Sequence, residues 1–426
     1  MRTLLKLATS LAGLVCLPVM AANIAIINAT VHTMSDQGSV QNATVLIKDG
    51  KIQQVMSPTP ALAGYQVIDA KGKVVTPGLF GAYTSLGLVE VGASAGTVDS
   101  RSEATAISHT GAALDVSYAV NPASSLMAIS RVEGITSAAT SMANTSQLFR
   151  GQGAIISLAD NTDPILKGTA FVTTGVDNNG ADDTGGSRAS LWVSLEQALA
   201  EADYALGKTF TPQTDWHGIT SVADAQALAG VVKGEVPLLI EAHRQADLLQ
   251  IIALKKRRPT LKIVILKATE GWKVAKQLAQ ANIAVILNPE SNLPYEFDQL
   301  AATLQNAARL HEAGVTVAIG MNTHNIRLAK QHAGNAVSHG LPWDAGLAAL
   351  TINPAKIYGV SESIGSIETG KRADVVIWSG DPLEVTHNAE MVLINGEITD
   401  MSSRQSKLRD RYLKVATDKT VHYQRP

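Results

Sequence analysis

Two kinds of hydrophobic spacing divide this chain. At both ends apolar residues come in short runs bounded by turn formers, whereas the middle alternates such runs with stretches of helical spacing. Residues 23–34 and 42–55 read as strands, and Asp49-Gly50 sits where a tight hairpin turn belongs, between Val45-Leu46-Ile47 and Ile52. A further apolar strand, 67–76, leads into Pro77. Far down the chain 373–379 and 391–398 repeat the style, with Asn395-Gly396 as a second hairpin signal. Neither terminal piece has enough strands to close a core alone, so the two are expected to share one small β-domain.

The middle predicts a parallel sheet. Strands are expected at 237–242, 261–266, 283–288 and 315–321, and helices at 244–257, 270–281, 297–313 and 326–340. Earlier, 134–141 and 153–158 read as strands and 191–206 as a helix. The stretch 77–356 is close to the ~250 residues typical of an eight-stranded barrel. Its main irregular insertion is 173–189, rich in Gly, Asp and Asn. The spacing of Asp177, Asp182 and Asp183 does not fit a calcium loop, so a solvated loop is expected there.

Composition and charge narrow the class. Arg2 and Lys6, an apolar run over 11–19 and the sequence Val19-Met20-Ala21-Ala22 form a secretory leader with a small-residue cleavage site, which predicts a mature chain from 23 in the periplasm or outside the cell. The run is too short to span a bilayer, no small residue precedes Cys16 as lipid attachment would want, and no later stretch is a candidate span. Cleavage removes Cys16, the one cysteine, so no disulfide is expected. It also shifts the formal charge from −2 to −4. The only basic cluster, Lys255-Lys256-Arg257-Arg258, ends a predicted helix, where cations complement the dipole, and this argues against nucleic acid as a partner.

Residues 74–87 read Val-Val-Thr-Pro-Gly-Leu-Phe-Gly-Ala-Tyr-Thr-Ser-Leu-Gly, and near the other end stand Thr351-Ile-Asn-Pro-Ala-Lys356, the run from Ile364 to Ile377, Gly380-Asp-Pro382 and Ile394-Asn-Gly396. These segments resemble the amidohydrolase superfamily of metal-dependent hydrolases, in particular its imidazolonepropionase-like subgroup. The resemblance covers nearly all of the mature chain. It implies an α/β fold: a (β/α)8 TIM-like barrel over 77–356 beside a small β-sandwich built from 23–76 and 357–426. It also implies hydrolysis of a carbon-nitrogen bond in a cyclic or linear amide, with zinc or another divalent metal bound.

The ligand positions depart from the family pattern. Its first strand carries Pro-Gly-Leu-Ile-Asp-Ala-His-x-His, and Tyr83 and Ser85 stand in the places of the two histidines. Val-His-Ala-His on strand five becomes Ile240-Glu241-Ala242-His243, strand six offers only Lys267 where a histidine is expected, and Gly-Ser-Asp on strand eight becomes Gly320-Met321-Asn322. Asn322 cannot act as the family's general base, because an amide nitrogen has no available lone pair. The strand-four ligand is not placed.

Three readings stay open. In a rebuilt site, Glu241 and His243, two apart on one strand, hold a metal, with His324 either completing a Glu, His, His zinc set or contacting substrate beside Tyr83 and Ser85. In a catalytically silent barrel, no metal is needed, and the protein binds a small amide-like ligand or pairs with a copy of itself or an intact related subunit. A serine hydrolase reading rests on Gly92-Ala93-Ser94-Ala95-Gly96, a cheap match in a loop. His109 and Asp115 are expected on a surface loop, His332 and His339 on one helix face, His32 in the β-domain and His311 at a helix end.

Overall fold

The computed structural model describes residues 23–415 except 95, 104, 106–109, 161 and 212, and every structural statement below concerns those residues. The expected leader, with Cys16, and His109 lie outside them.

The β-domain forms as the two hairpin signals require. Its strands are β1 (Ile24–His32), β2 (Ser39–Lys48), β3 (Lys51–Met56), β4 (Gln66–Asp69) and β5 (Val74–Pro77). Asp49 and Gly50 both have positive φ, 50° and 75°, the geometry a two-residue hairpin needs. The expected strand 67–76 is two strands. It breaks at Lys71 and Gly72, again at positive φ, so that β4 and β5 each pair in parallel with a different part of β1. The C-terminal strands β14 (Val375–Trp378), β15 (Ala389–Ile394) and β16 (Glu397–Ile398) join through β5, which pairs antiparallel with β14. Both chain ends thus share one eight-stranded sheet. It curls back on itself: Lys51 bridges Arg372 and the Ile52 N–H donates to the Lys371 carbonyl. The enclosed core takes Ile26, Val45 and Ile52 from one end and Val375, Ile377 and Leu393 from the other.

The middle of the chain supplies a second eight-stranded sheet, a nearly closed barrel: β6 (Leu79–Thr84), β7 (Ile135–Thr140), β8 (Phe149–Ser157), β9 (Ile165–Gly175), β10 (Leu238–Ala242), β11 (Ile263–Lys267), β12 (Ala284–Leu287) and β13 (Val317–Ile319). Last meets first where a Cβ on Gly320 would lie 2.7 Å from the Tyr83 nitrogen and the Ser85 N–H donates to the Thr323 carbonyl at 3.0 Å. The expected all-parallel order fails at one strand. β8 runs antiparallel to both neighbours, because the links 141–148 and 158–164 are too short for the crossover that parallel strands require. Two helices are also shorter than expected. The stretch 270–281 splits into a 3-10 turn, Gly271–Val274, and Ala275–Gln280, and of 297–313 only Asn306–Glu312 is α-helical, after a 3-10 turn at Phe297–Gln299.

Side chains alternate between two cores along the barrel strands, as period-two geometry demands. Phe80, Phe171, Leu239, Val264, Leu266, Ile286 and Ala318 fill the lumen. Leu238, Ile240, Ile263, Ile265, Val285 and Val317 face the surrounding helices. Tyr358 closes the lumen at the strand starts: its ring lies 5.0 Å from Phe171 and 6.0 Å from Phe80, its hydroxyl bonds the Ala82 carbonyl, and Lys167 donates to its own carbonyl at 2.8 Å. Chemistry is therefore confined to the opposite, carboxyl end.

Candidate functional site

Leu239 faces the lumen, so Glu241 and His243 on the same strand and its extension face it too. Both are buried, at 3% and 5% exposure. Asp177, two residues past β9, reaches the same place. The ligand atoms of Asp177, Glu241 and His243 lie within 4.8 Å of one another, a grouping that can hold a metal ion. Asp177 is thus the carboxylate that follows strand four. The expectation of a solvated loop does not hold for it: it is 2% exposed and accepts from the Gly180 N–H at 3.1 Å. The composition of 173–189 hid this, because β9 ends inside that stretch and delivers Asp177 to the barrel mouth.

Two cations occupy the position that an ion would take. Arg150, on β8, donates to one oxygen of Glu241, and Lys267, at the end of β11, pairs with the other. The Arg150 guanidinium also lies 3.8 Å from Asp177 and its side chain is 5% exposed. Gly175 makes room for it, since a Cβ there would come within 2.6 Å of Arg150 Nη2. Lys267 arrives by a different route. Strict alternation along β11 would send its side chain outward beside Ile265, but Lys267 and Ala268 both take left-handed backbone, with φ of 69° and 43°. Such residues cost of order 1–3 kcal/mol each and persist where surrounding structure holds them. Here that distortion accompanies an ammonium on a buried carboxylate.

The electrostatics follow from this packing. Burial alone would raise the Glu241 pKa, yet Arg150 and Lys267 outweigh it and hold the carboxyl at about 2. Asp177 is pushed up to about 6 by burial and by Glu241, with Arg150 opposing. Tyr83, fully buried beside Glu241, is raised to about 12, so it stays a phenol. Its hydroxyl forms no well-directed hydrogen bond, although Ser141 and Thr173 hydroxyls sit close enough to favour ionisation slightly. His243 is lowered by burial and then by Lys267, against the pull of Asp298, Glu241 and Glu296. Its Nδ1 bonds the Thr269 hydroxyl at 2.7 Å, which leaves Nε2 for any ligand.

The other candidates spread around the rim. Ser85 is buried, with its backbone tied to Thr323. Asn322 follows β13 and its buried Oδ1 has no hydrogen-bond partner. His324 packs beside Gly92, where a Cβ would lie 3.7 Å from its ring, and is not in the Asp177–Glu241–His243 group. Ser94 is exposed in the loop between the bridged residues Val89 and Val98, and no helix follows it directly. Asp115 caps a 3-10 turn by accepting from the Ser117 N–H. His332 is buried, with Nδ1 3.0 Å from Glu290, whereas His339 is a helix-end residue that contacts the Asn335 carbonyl.

Asp177, Glu241 and His243 are an acceptable donor set for zinc, but the charges around them do not fit a resident dication. Both oxygens of Glu241 are already engaged. At an effective dielectric of about 20, a dication ~4 Å from the Arg150 guanidinium would be repelled by on the order of 8 kcal/mol, which offsets much of the attraction that one of the two carboxylates supplies. Arg150 is nearly sealed from solvent.

A composite β-domain beside a barrel whose carboxyl mouth gathers acids and a histidine defines an amidohydrolase-type architecture, and comparison with known proteins agrees. Residues 217–401 match the sequence profile of the amidohydrolase family. An amidohydrolase from Thermotoga maritima is 25% identical, with a TM-score of 0.77 over 89% of this chain and all of that one. A putative prolidase from Bifidobacterium longum shares the fold at 18% identity, with a TM-score of 0.54 over 94% of this chain and 100% of that chain. The curated relative amidohydrolase tasK from Hapsidospora irregularis is 32% identical over 109 residues, 25% of this chain but only 11% of that protein's length. The chain belongs to the amidohydrolase superfamily.

Proposed function

We propose that this chain is an amidohydrolase-like barrel that binds a small amide-like molecule at its mouth, with Arg150 and Lys267 standing where hydrolases of the superfamily rely on a metal. One observation carries the reading: both oxygens of Glu241 are capped by protein cations, one of them brought there on left-handed backbone. Attack on an amide carbon needs an activated water, and Asn322, in the position of the family's aspartate, has no base to offer. Asp177 and His243 are the basic groups that remain there, and the capping of Glu241 by two cations is what favours binding over turnover. The partner that suits such a protein is a copy of itself or a related subunit with its ligands intact. The leader-like start of the sequence supports an exported, periplasmic protein, and the near-neutral charge favours a small ligand over nucleic acid.

A second reading has its own observation. The gathered donors of Asp177, Glu241 and His243 favour a metal-dependent hydrolase of carbon-nitrogen bonds, provided that Lys267, whose side chain is 45% exposed, swings away. Metal content separates the two. The mature protein purified without chelators is expected to carry no stoichiometric zinc, and Lys267→Ala to gain zinc affinity because a carboxylate oxygen is released. Stoichiometric zinc in the wild type that disappears in Glu241→Ala would overturn the first reading and establish the second.

A further inference from the structure

Asp298 lies in the 3-10 turn after β12, near enough to His243 to act on its charge and 3.7 Å from Arg188, which bonds Asn178 next to Asp177. Its side chain is 3% exposed and neither carboxylate oxygen has a hydrogen-bond partner. Buried carboxylates without donors are rare, because an ionised group taken out of water is costly unless something replaces the lost hydration. The neighbouring cations are committed elsewhere. Arg188 directs Nε to both oxygens of Asp247, at 3.1 and 3.0 Å, and Nη2 to Asn178 at 3.0 Å, which leaves it 3.7 Å from Asp298, too far for a hydrogen bond. Arg244 is bound to Asp247 at 2.8 Å, and Lys267 and Arg150 to Glu241. Arg188 and Arg244 thus balance the charges of Asp247 and Asp298, but Asp298 is the one of the two that accepts no hydrogen bond.

We infer that Asp298 is the specificity residue of the barrel mouth and takes the protonated amine or amidinium group of the bound molecule. An N–H-bearing cation supplies the donors that the ion pair with Arg188 at 3.7 Å does not, and a carboxylate held away from water gains more from a charge-assisted bond than an exposed one does. The same loop presents Leu293, Tyr295 and Phe297 at 75%, 88% and 91% exposure. An apolar body attached to the cation has surface there to cover. Ligand class is the one thing added: the inference rests on the reading that the mouth binds a small molecule, and concerns which one.

The test uses the mature protein with benzamidinium and n-butylammonium as probes, benzamide and benzoate as neutral and anionic counterparts, and Asp298→Asn as the variant. Titration calorimetry should show the cations binding the wild type at least tenfold more tightly than benzamide or benzoate, and losing at least tenfold in Asp298→Asn. The unliganded variant should melt at the same or a higher temperature, because a buried carboxylate that accepts no hydrogen bond has been removed. Equal cation binding by wild type and variant would overturn the assignment. So would a lower melting temperature in the variant without any loss of cation binding, which marks a structural carboxylate. If benzamide or benzoate bind and neither cation does, the ligand class falls while the binding barrel stands. If no probe binds and the protein carries stoichiometric zinc, both fall.

Discussion

Asp177 shares its surroundings with Glu241, yet their carboxyls move in opposite directions, and this can be measured. Glu241 is held at about 2, so its contribution to stability is present above its ordinary value near 4.5 and is lost only as pH falls toward 2. Asp177 is raised from 3.8 to about 6. The folded state then binds more protons than the unfolded one between those values, and stability falls as pH rises through that window. Asp177→Asn removes the dependence. Denaturant titrations should find the variant more stable than the wild type by on the order of 1–3 kcal/mol at pH 7.5, with the difference shrinking toward pH 4; an equal difference at both pH values would show that Asp177 is not the titrating group. At this scale alternation makes Glu241 and His243 legible as lumen residues. It sends Lys267 outward, so only the match to the family's strand-six position marks that residue, and its side chain reaches the lumen through a backbone conformation that a lysine rarely adopts. Arg150 was not foreseeable, because it lies on the one antiparallel strand.

At the scale of elements, the two hairpin turns are the readable part, and they meet. A Cβ on Gly396 would lie 2.8 Å from the Gly50 Cα, and one on Gly50 2.8 Å from the Asn395 carbonyl. The Ala373 N–H donates to the Gly50 carbonyl and the Gly396 N–H to that of Ala373, so turns far apart in sequence are stitched tip to tip. Gly396→Ala has neither the space nor a favourable φ at 76°. It should cost on the order of 2–3 kcal/mol, read as a lower midpoint in chemical denaturation with an unchanged slope. The alanine form matching the wild type would mean that the tips part freely. Helices were harder to size from sequence. Residues 297–305 carry apolar residues at helical intervals, but Leu293, Tyr295, Phe297 and Leu300 are exposed, so that spacing does not mark a buried face there.

For the whole molecule, the composite sheet binds the ends of the chain to the barrel. Trp378, fully buried, donates to Thr76 at 2.8 Å and lies against Gly134, where a Cβ would meet its ring at 2.4 Å. A chain truncated after Lys356 loses β14 to β16 and also Tyr358. It should fail to give a folded barrel, recovered as aggregate or as a species lacking near-ultraviolet ellipticity, while the full chain melts in a single transition. A truncated barrel with native-like ellipticity would show that the two parts fold independently. The overall architecture was legible because length, strand spacing and hairpin signals all pointed one way. The charge balance at the mouth was not, since it depends on side chains from β8, β9, β10 and β11 that only the closed ring assembles.

Tyr358 has a further consequence. With its ring against Phe80 and Phe171 and its hydroxyl on the Ala82 carbonyl, Tyr358 corks the floor of the barrel and leaves only the carboxyl end as a way in. Whatever settles beside Glu241 must come and go through a single doorway. A bulky tail on one guest therefore blocks the next, so long-tailed ligands should act as slow-leaving plugs.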